Sequence, residues 1–169
     1  MQYDVIVIVV KNLLLTELIY ALLYLYTTLL CNEQQFIFTE IFNVIIFIII
    51  QDLWFYTWHR LFHVNTYLQS IHKIHHKLFT PFTAWHVRPL EHLIINIGSV
   101  IVPLLYVPIG QYTLFVIITL SIIGDTYSYS CRNSSNFIHF IIPDKRFSTI
   151  GICDYICNTY VVNKVHELF

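Results

Sequence analysis

Residues 36–58 read FIFTEIFNVIIFIIIQDLWFYTW, and this apolar stretch decides the kind of fold that the chain adopts. Within residues 41–50 the only polar side chain is that of Asn43. A helix needs about 20 predominantly apolar residues to cross a bilayer, so this stretch predicts a membrane span. Aromatic side chains at its end are typical of the membrane–water interface: Trp54, Tyr56 and Trp58.

Two further apolar stretches extend this reading to the whole chain. Residues 5–31 form a first candidate span, although Lys11 and Glu17 interrupt it. Residues 93–124 are uncharged but too long for one simple crossing, which predicts a helical hairpin that enters the membrane and returns. The turn is expected near the middle of that stretch, at Pro103, Pro108 and Gly110. We therefore predict an all-α integral membrane helical bundle, one domain over residues 1–169.

Composition excludes several other classes of protein. Apolar residues make up 57% of the chain and charged residues 11%, too few to cover the surface of a soluble domain. The net charge of -1 offers no basic excess for nucleic acid, so we expect no nucleic-acid partner. Eight of the nine Lys and Arg residues lie within residues 59–92 and 125–169, which places these two segments on the cytosolic side.

Five of the nine histidines fall in a short polar segment after the strongest span. His59 and His63 are four residues apart, so on a helix their imidazoles share one face. His72, His75 and His76 form a second group, in which the adjacent pair points about 100° apart on a helix. Neutral imidazole suits iron, zinc, copper and nickel. The pattern predicts a metal site with five ligands: His59, His63, His72, His75 and His76. A pH-sensing histidine cluster is the alternative that the pattern leaves open.

The two histidine groups and their surroundings resemble a known family. Residues 51–63, QDLWFYTWHRLFH, resemble the first histidine box of the fatty acid hydroxylase/sterol desaturase superfamily, and residues 72–77, HKIHHK, resemble its second. The continuations at residues 80–84 (TPFTA) and 89–91 (PLE) are also similar to that family.

This resemblance implies an integral membrane enzyme, mainly of the endoplasmic reticulum, with histidine boxes on the cytosolic side. Such enzymes hold two metal ions, taken as iron, although the residues here do not separate iron from zinc. They hydroxylate or desaturate C–H bonds of lipids, fatty acyl or sterol, with O₂ and with electrons from a donor such as cytochrome b5. No acid, base or nucleophile breaks an unactivated C–H bond, so a redox metal is needed. We expect no catalytic residue beyond the metal ligands, and no motif for a second cofactor is present.

The family's third histidine box has no equivalent spacing in this chain. Two alignments compete for its place: His139 to Pro143, and Phe147 to Ile152, of which we prefer the second because it leaves the closing segments in register. Under it the three histidines are replaced by Ser148, Gly151 and Ile152. A family histidine is also replaced by Arg88. These departures make a catalytically inactive family member, acting as a lipid- or partner-binding membrane protein, the alternative function.

Two acidic residues near the histidines have competing interpretations. Asp52 lies seven residues before His59, so it is either a carboxylate that orients an imidazole or a polar residue at the end of a span. Glu91 is expected to serve a helix terminus or an ion pair, not to bind metal.

Overall fold

The computed structural model describes residues 2–30, 37–77, 80–130 and 147–159. These residues are helical throughout their regular structure, which confirms the predicted all-α class. Seven α-helices are labelled here in chain order: α1 (Gln2–Leu30), α2 (Ile37–Val64), α3 (Thr66–His72), α4 (Pro89–Glu91), α5 (Gly98–Leu104), α6 (Gln111–Ser128) and α7 (Ile152–Ile156). Two 3₁₀ turns, His75–Lys77 and Pro81–Trp85, connect α3 to α4, and a π-helical turn, His92–Ile97, joins α4 to α5.

Among the described residues, two helices are long and apolar enough to cross a membrane, as expected for an all-α membrane protein. They cover Tyr3–Tyr26 and Ile37–Val64. The third apolar helical stretch, Pro89–Leu104, is shorter, and α6 follows it in the region where the sequence predicts a returning hairpin. The depth of that hairpin in a bilayer stays a prediction.

The second helix carries the first histidine pair on its last turns. α2 continues to Val64, past the predicted end of the span at residue 58, so His59 and His63 lie within the helix. Asn65 then caps α3, because its side-chain oxygen accepts hydrogen bonds from the backbone N–H groups of Tyr67 and Leu68. This cap fixes a sharp turn between the two helices and brings the end of α3 back towards α2.

An apolar core forms where α5, the turn that follows it and the start of α6 meet α2. Two polar contacts fix the turn between α5 and α6 against the start of α2: Asn43 Nδ2 donates to the carbonyl of Pro108, and the N–H of Gly110 donates to Glu40 Oε1. The buried apolar side chains of this core are Phe47, Val100, Val107, Ile109 and Leu114.

A π-helical turn between α4 and α5 contacts α2 through Trp54. Trp54 Nε1 donates to the carbonyl of Ile94 at 2.8 Å. The π-helical turn leaves this carbonyl accessible to a donor from another helix. Gly98 follows the turn, and a Cβ atom there would lie 2.7 Å from Trp54 Nε1. The absence of a side chain at residue 98 therefore permits this packing.

The first helix is fastened to the polar segment by buried hydrogen bonds. Asn12 Nδ2 donates to the carbonyls of Trp85 at 2.9 Å and Val87 at 2.8 Å. The hydroxyl of Thr16 donates its one proton to the carbonyl of Asn12. Its oxygen therefore accepts a hydrogen bond from Nε2 of His92, at 2.7 Å. These contacts set the position of the chain just before Glu91, whose side chain contacts His72.

Candidate metal centre

All five predicted ligands lie together in space. The ring centroids of His63 and His72 are 4.5 Å apart, and those of His59 and His72 are 5.0 Å apart. His76 lies 4.8 Å from His72 and 5.2 Å from His63 by the same measure. The ligand nitrogens of His59, His63 and His72 all lie within 4.8 Å of one another. The first pair and the second group thus face a common space.

The spacing predicted that one helix carries all three histidines of the second group, and the structure differs. α3 ends at His72, and His75 and His76 lie in a separate 3₁₀ turn. A 3₁₀ turn has about three residues per turn, so adjacent side chains diverge further than on an α-helix. The rings of His75 and His76 stand at 89° to each other. His76 therefore turns towards His72, and the Nε2 atoms of the two rings are 3.0 Å apart. The ring of His75 points away from that of His76.

Phe147 sets the orientation of His59. Nδ1 of His59 lies 3.0 Å from the carbonyl oxygen of Phe147. A carbonyl only accepts, so Nδ1 carries the proton and Nε2 keeps its lone pair. The Phe147 ring also packs edge-on against His59 and lies 5.3 Å from the ring of His63. This residue, 88 positions further along the chain, therefore orients one imidazole and covers two.

Glu91 holds His72 in the same way. Oε1 of Glu91 contacts Nδ1 of His72, and both side chains are buried. Burial raises the pKa of Glu91 to about 8, so near neutral pH a proton is held between the carboxyl group and Nδ1. Nδ1 is occupied in either arrangement, and Nε2 faces the other imidazoles. The ion-pair interpretation of Glu91 agrees with this contact, and a carboxyl group behind a histidine is the usual support of a metal ligand.

His75 lies at the edge of the cluster beside a tyrosine. Its Nε2 is 2.7 Å from the hydroxyl of Tyr129, at the end of α6. Burial, followed by the neighbouring imidazoles, lowers the pKa of His75 to about 3. The ring is therefore neutral at pH 7 and retains a lone pair for binding.

The segment that replaces the third histidine box lies directly against the cluster. Asp52, which is 0% exposed, accepts hydrogen bonds from the N–H groups of Ile150 and Cys153 and from the hydroxyl of Thr149. Asp52 therefore anchors this segment to α2, and the interpretation of Asp52 as a carboxylate that orients His59 is not what the contacts show. The orienting group is the Phe147 carbonyl.

A second buried carboxylate closes the same segment on itself. Asp154 accepts hydrogen bonds from the N–H groups of Phe147 and Ser148 and from the hydroxyls of Ser148 and Thr159. The segment that occupies the third-box position in the preferred alignment is thus a rigid loop that places a phenyl ring and a carbonyl at the site. The competing alignment falls on His139, which lies outside the described residues.

The remaining histidines differ in their relation to the cluster. Both nitrogens of His92 are engaged, Nε2 with Thr16 and Nδ1 with Asn96. His86 is buried, its Nδ1 has no hydrogen-bond partner among the described residues, and it interacts electrostatically with His75. Sequence reasoning gave His86 no role, although it stands two residues before Arg88, whose side chain is exposed. His166 lies outside the described residues.

A cavity of about 480 Å³ opens beside the cluster. His59, His75 and Tyr129 are among its lining residues. Polar and apolar side chains both line it, and the apolar side chains from α2, the π-helical turn, α5 and α6 include Ile48, Phe55, Ile95, Val100, Ile117 and Leu120. The volume and a lining that combines apolar side chains with polar groups are typical of a small-molecule site.

The donor set fits a bound transition metal. Two nitrogens on a common ion lie ~3–4 Å apart, given metal–nitrogen distances near 2 Å. The separations here, from 3.0 Å between His72 and His76 to at most 4.8 Å within the first three ligands, need only small ring rotations. Neutral imidazoles whose second nitrogen is already bonded are the form in which histidine binds metal.

Comparison with known proteins places the chain in a family. The fatty acid hydroxylase family model matches residues 44–166, which include both histidine groups. The C-4 methylsterol oxidase of Schizosaccharomyces pombe is 38% identical over 68 residues, 39% of this chain and 23% of that protein. A methylsterol monooxygenase of Aspergillus fumigatus is 28% identical over 113 residues, 63% of this chain and 38% of that protein.

A very-long-chain aldehyde decarbonylase of rice, Oryza sativa, is 31% identical over 90 residues, 52% of this chain and 33% of that protein. The chain therefore matches well under half the length of each of these relatives. No solved structure matches the chain. The family match covers most of the chain and confirms the resemblance that the histidine groups carry: the chain belongs to the fatty acid hydroxylase family, within the fatty acid hydroxylase/sterol desaturase superfamily.

Proposed function

We propose that this chain is a membrane-bound, metal-dependent oxidoreductase that hydroxylates or desaturates a C–H bond of a lipid, fatty acyl or sterol, with O₂. One observation carries the proposal: five imidazoles gather beside a cavity of about 480 Å³, and two of them, His59 and His75, line it. The named relatives, two sterol methyl oxidases and an aldehyde decarbonylase, support the same class of lipid chemistry.

The residues that would hold iron are His59, His63, His72, His75 and His76, and the family expectation is two ions. Bound iron would supply the activation of O₂ that an unactivated C–H bond requires. Hydroxylation joins one oxygen atom to carbon and reduces the other to water, so each turnover consumes two electrons and two protons. An electron donor such as cytochrome b5 would supply the electrons, with the cluster on the cytosolic face of the endoplasmic reticulum.

The chain's own groups would prepare the site for this chemistry. The Phe147 carbonyl and Glu91 each occupy Nδ1 of a histidine and so direct its Nε2 inward. The apolar walls of α2, α5 and α6 would hold an acyl chain or ring system and keep water from the reacting carbon.

The Glu91 contact gives a direct prediction. Glu91→Gln should weaken metal binding about 10- to 100-fold, because an amide cannot share a proton with Nδ1 of His72 as the buried carboxyl group does. Competition with a chelator, read by the residual iron content of the purified protein, measures the change. The exposed Glu17→Gln is the matched control, and equal affinity in Glu91→Gln and wild type would contradict a supporting role for Glu91.

A catalytically inactive, lipid- or partner-binding protein is the second candidate. The observation that favours it is the loop from Phe147 to Ile152, where a phenyl ring covers His59 and His63 in the position that the preferred alignment assigns to a histidine box. Such a protein would keep the cavity and lose the chemistry.

One experiment separates these functions. The full chain is purified in detergent for its iron and zinc content, and cells that express it are grown under ¹⁸O₂ for lipid analysis by mass spectrometry. An enzyme retains iron and yields a lipid that gains one ¹⁸O atom or loses two hydrogens, relative to cells expressing His72→Ala/His75→Ala. Matching lipid profiles in the two cell lines would reject the oxidoreductase and favour the binding protein.

A further inference from the structure

Gln51 is a buried polar residue that the metal site does not use. Its side chain is 8% exposed, lines the cavity and makes no hydrogen bond within the part of the chain that the structure describes. Its amide reaches the open space of the cavity, where it can donate to and accept from a molecule that occupies the cavity. An amide that lines a cavity without a protein partner among the described residues is placed to hydrogen-bond to a bound ligand.

The position of Gln51 is set by the helix that also carries the first ligand. The cavity-facing side of α2 consists of Ile48, Gln51, Phe55 and His59, spaced three, four and four residues apart, as one face of a helix requires. Gln51 precedes His59 by eight residues, about 12 Å along the helix axis. Among the cavity-lining residues of α2, Gln51 is the one polar side chain before His59, and it lies between Ile48 and Phe55.

The charges around the cavity select the chemistry of the ligand. The acidic residues among its lining are Glu91 and Asp125, and no Lys or Arg lines it among the described residues. A carboxylate or phosphate placed beside Gln51, about two helical turns from His59, would be desolvated with no Lys or Arg beside it, which is costly. A neutral hydroxyl meets no such penalty, and it both donates and accepts, as the Gln51 amide does.

We infer that Gln51 binds the hydroxyl group of a neutral lipid and determines which substrates the cavity accepts. The inference rests on the proposed function, in that the cavity is taken as the lipid site. The hydroxyl would sit about two helical turns from the metal ligand His59, so Gln51 would set which carbon of the bound lipid reaches the histidines. Free fatty acids would bind less well than the corresponding alcohols.

Equilibrium binding to the purified full chain, without reductant, tests this inference. The probes are 1-hexadecanol, hexadecane and palmitate, which share one chain length, and cholesterol with cholest-5-ene, which lacks the hydroxyl. Wild type should prefer the hydroxylated member of at least one pair by about tenfold, and hexadecanol over palmitate if linear chains bind. Gln51→Met, of similar size and without the amide, should abolish that preference. Gln69→Met on α3, outside the cavity lining, should keep it.

Two further results keep the outcome decisive. Gln51→Met should melt near the wild-type temperature, because the side chains are of similar size and no hydrogen bond within the described residues is lost. Gln51→Glu should keep the preference for hydroxyl over hydrocarbon. The inference is overturned if wild type shows no hydroxyl preference on either scaffold, or if Gln51→Met retains it. Binding is read without turnover, so a protein that lacks iron or product but keeps the preference refutes the proposed function alone.

Discussion

Replacing His72 with alanine should remove the metal from the purified protein and abolish lipid oxidation. His72 is the central ring of the cluster, with centroids 4.5–5.3 Å from those of the other four candidate ligands, and it is 2% exposed. Its loss removes one ligand and leaves Glu91 buried without the imidazole. We expect a loss in iron affinity of at least about 100-fold, more than for the Glu91 change.

The neighbouring exposed residue supplies the control for this variant. Lys73→Ala alters the next position in the chain, whose side chain is exposed, and should leave iron content and product unchanged. His72→Gln also removes the imidazole, and its side chain fills more of the space left by the ring than alanine does. Iron at wild-type stoichiometry in both His72 variants would show that these imidazoles do not gather around an ion.

Replacing Asp52 with asparagine should release the loop that covers the histidines. The Asp52 carboxylate accepts from two backbone N–H groups and one hydroxyl of that loop, and an amide group has one acceptor oxygen in place of two. At least one buried donor loses its partner, at a cost of about 2 kcal/mol. The population with an open loop should then rise about 30-fold.

Cys153 reports this opening. It is buried against Asp52, and burial, followed by its contact with Asp52, raises the pKa of the thiol to about 12, so alkylation in the native protein is very slow. Iodoacetamide labelling followed by peptide mapping should show faster modification of Cys153 in Asp52→Asn. The exposed Cys157 serves as the internal reference, and Asp4→Asn, on the exposed surface of α1, is the matched variant. Unchanged Cys153 labelling would mean that Asp52 does not hold the loop.

Local spacing predicted the parts of this molecule that depend on a single helix. The apolar run over residues 36–58 indicated α2, and the four-residue interval between His59 and His63 placed two imidazoles on one face of it. The spacing of the second group did not predict its geometry, because α3 ends at His72 and the next two histidines take a 3₁₀ turn.

Contacts between distant residues lay beyond what spacing can indicate. Asp52 bonds residues 97 to 101 positions away, and the Phe147 carbonyl reaches His59 across 88 positions. No periodic pattern links such pairs. The preference for Phe147 to Ile152 as the third-box segment came from the resemblance alone, and the structure gives that segment a physical function as an aromatic cover.

The hydrogen bonds of Asn12 and Thr16 have a consequence for anyone who trims this protein to a minimal unit. The family match begins at residue 44, yet the carbonyls of Trp85 and Val87 and one nitrogen of His92 are satisfied from α1, outside that boundary. A shortened version that starts at the family boundary would carry every candidate ligand and still lose the scaffold that aligns Glu91 behind His72. The functional unit is therefore larger than the region of recognisable ancestry.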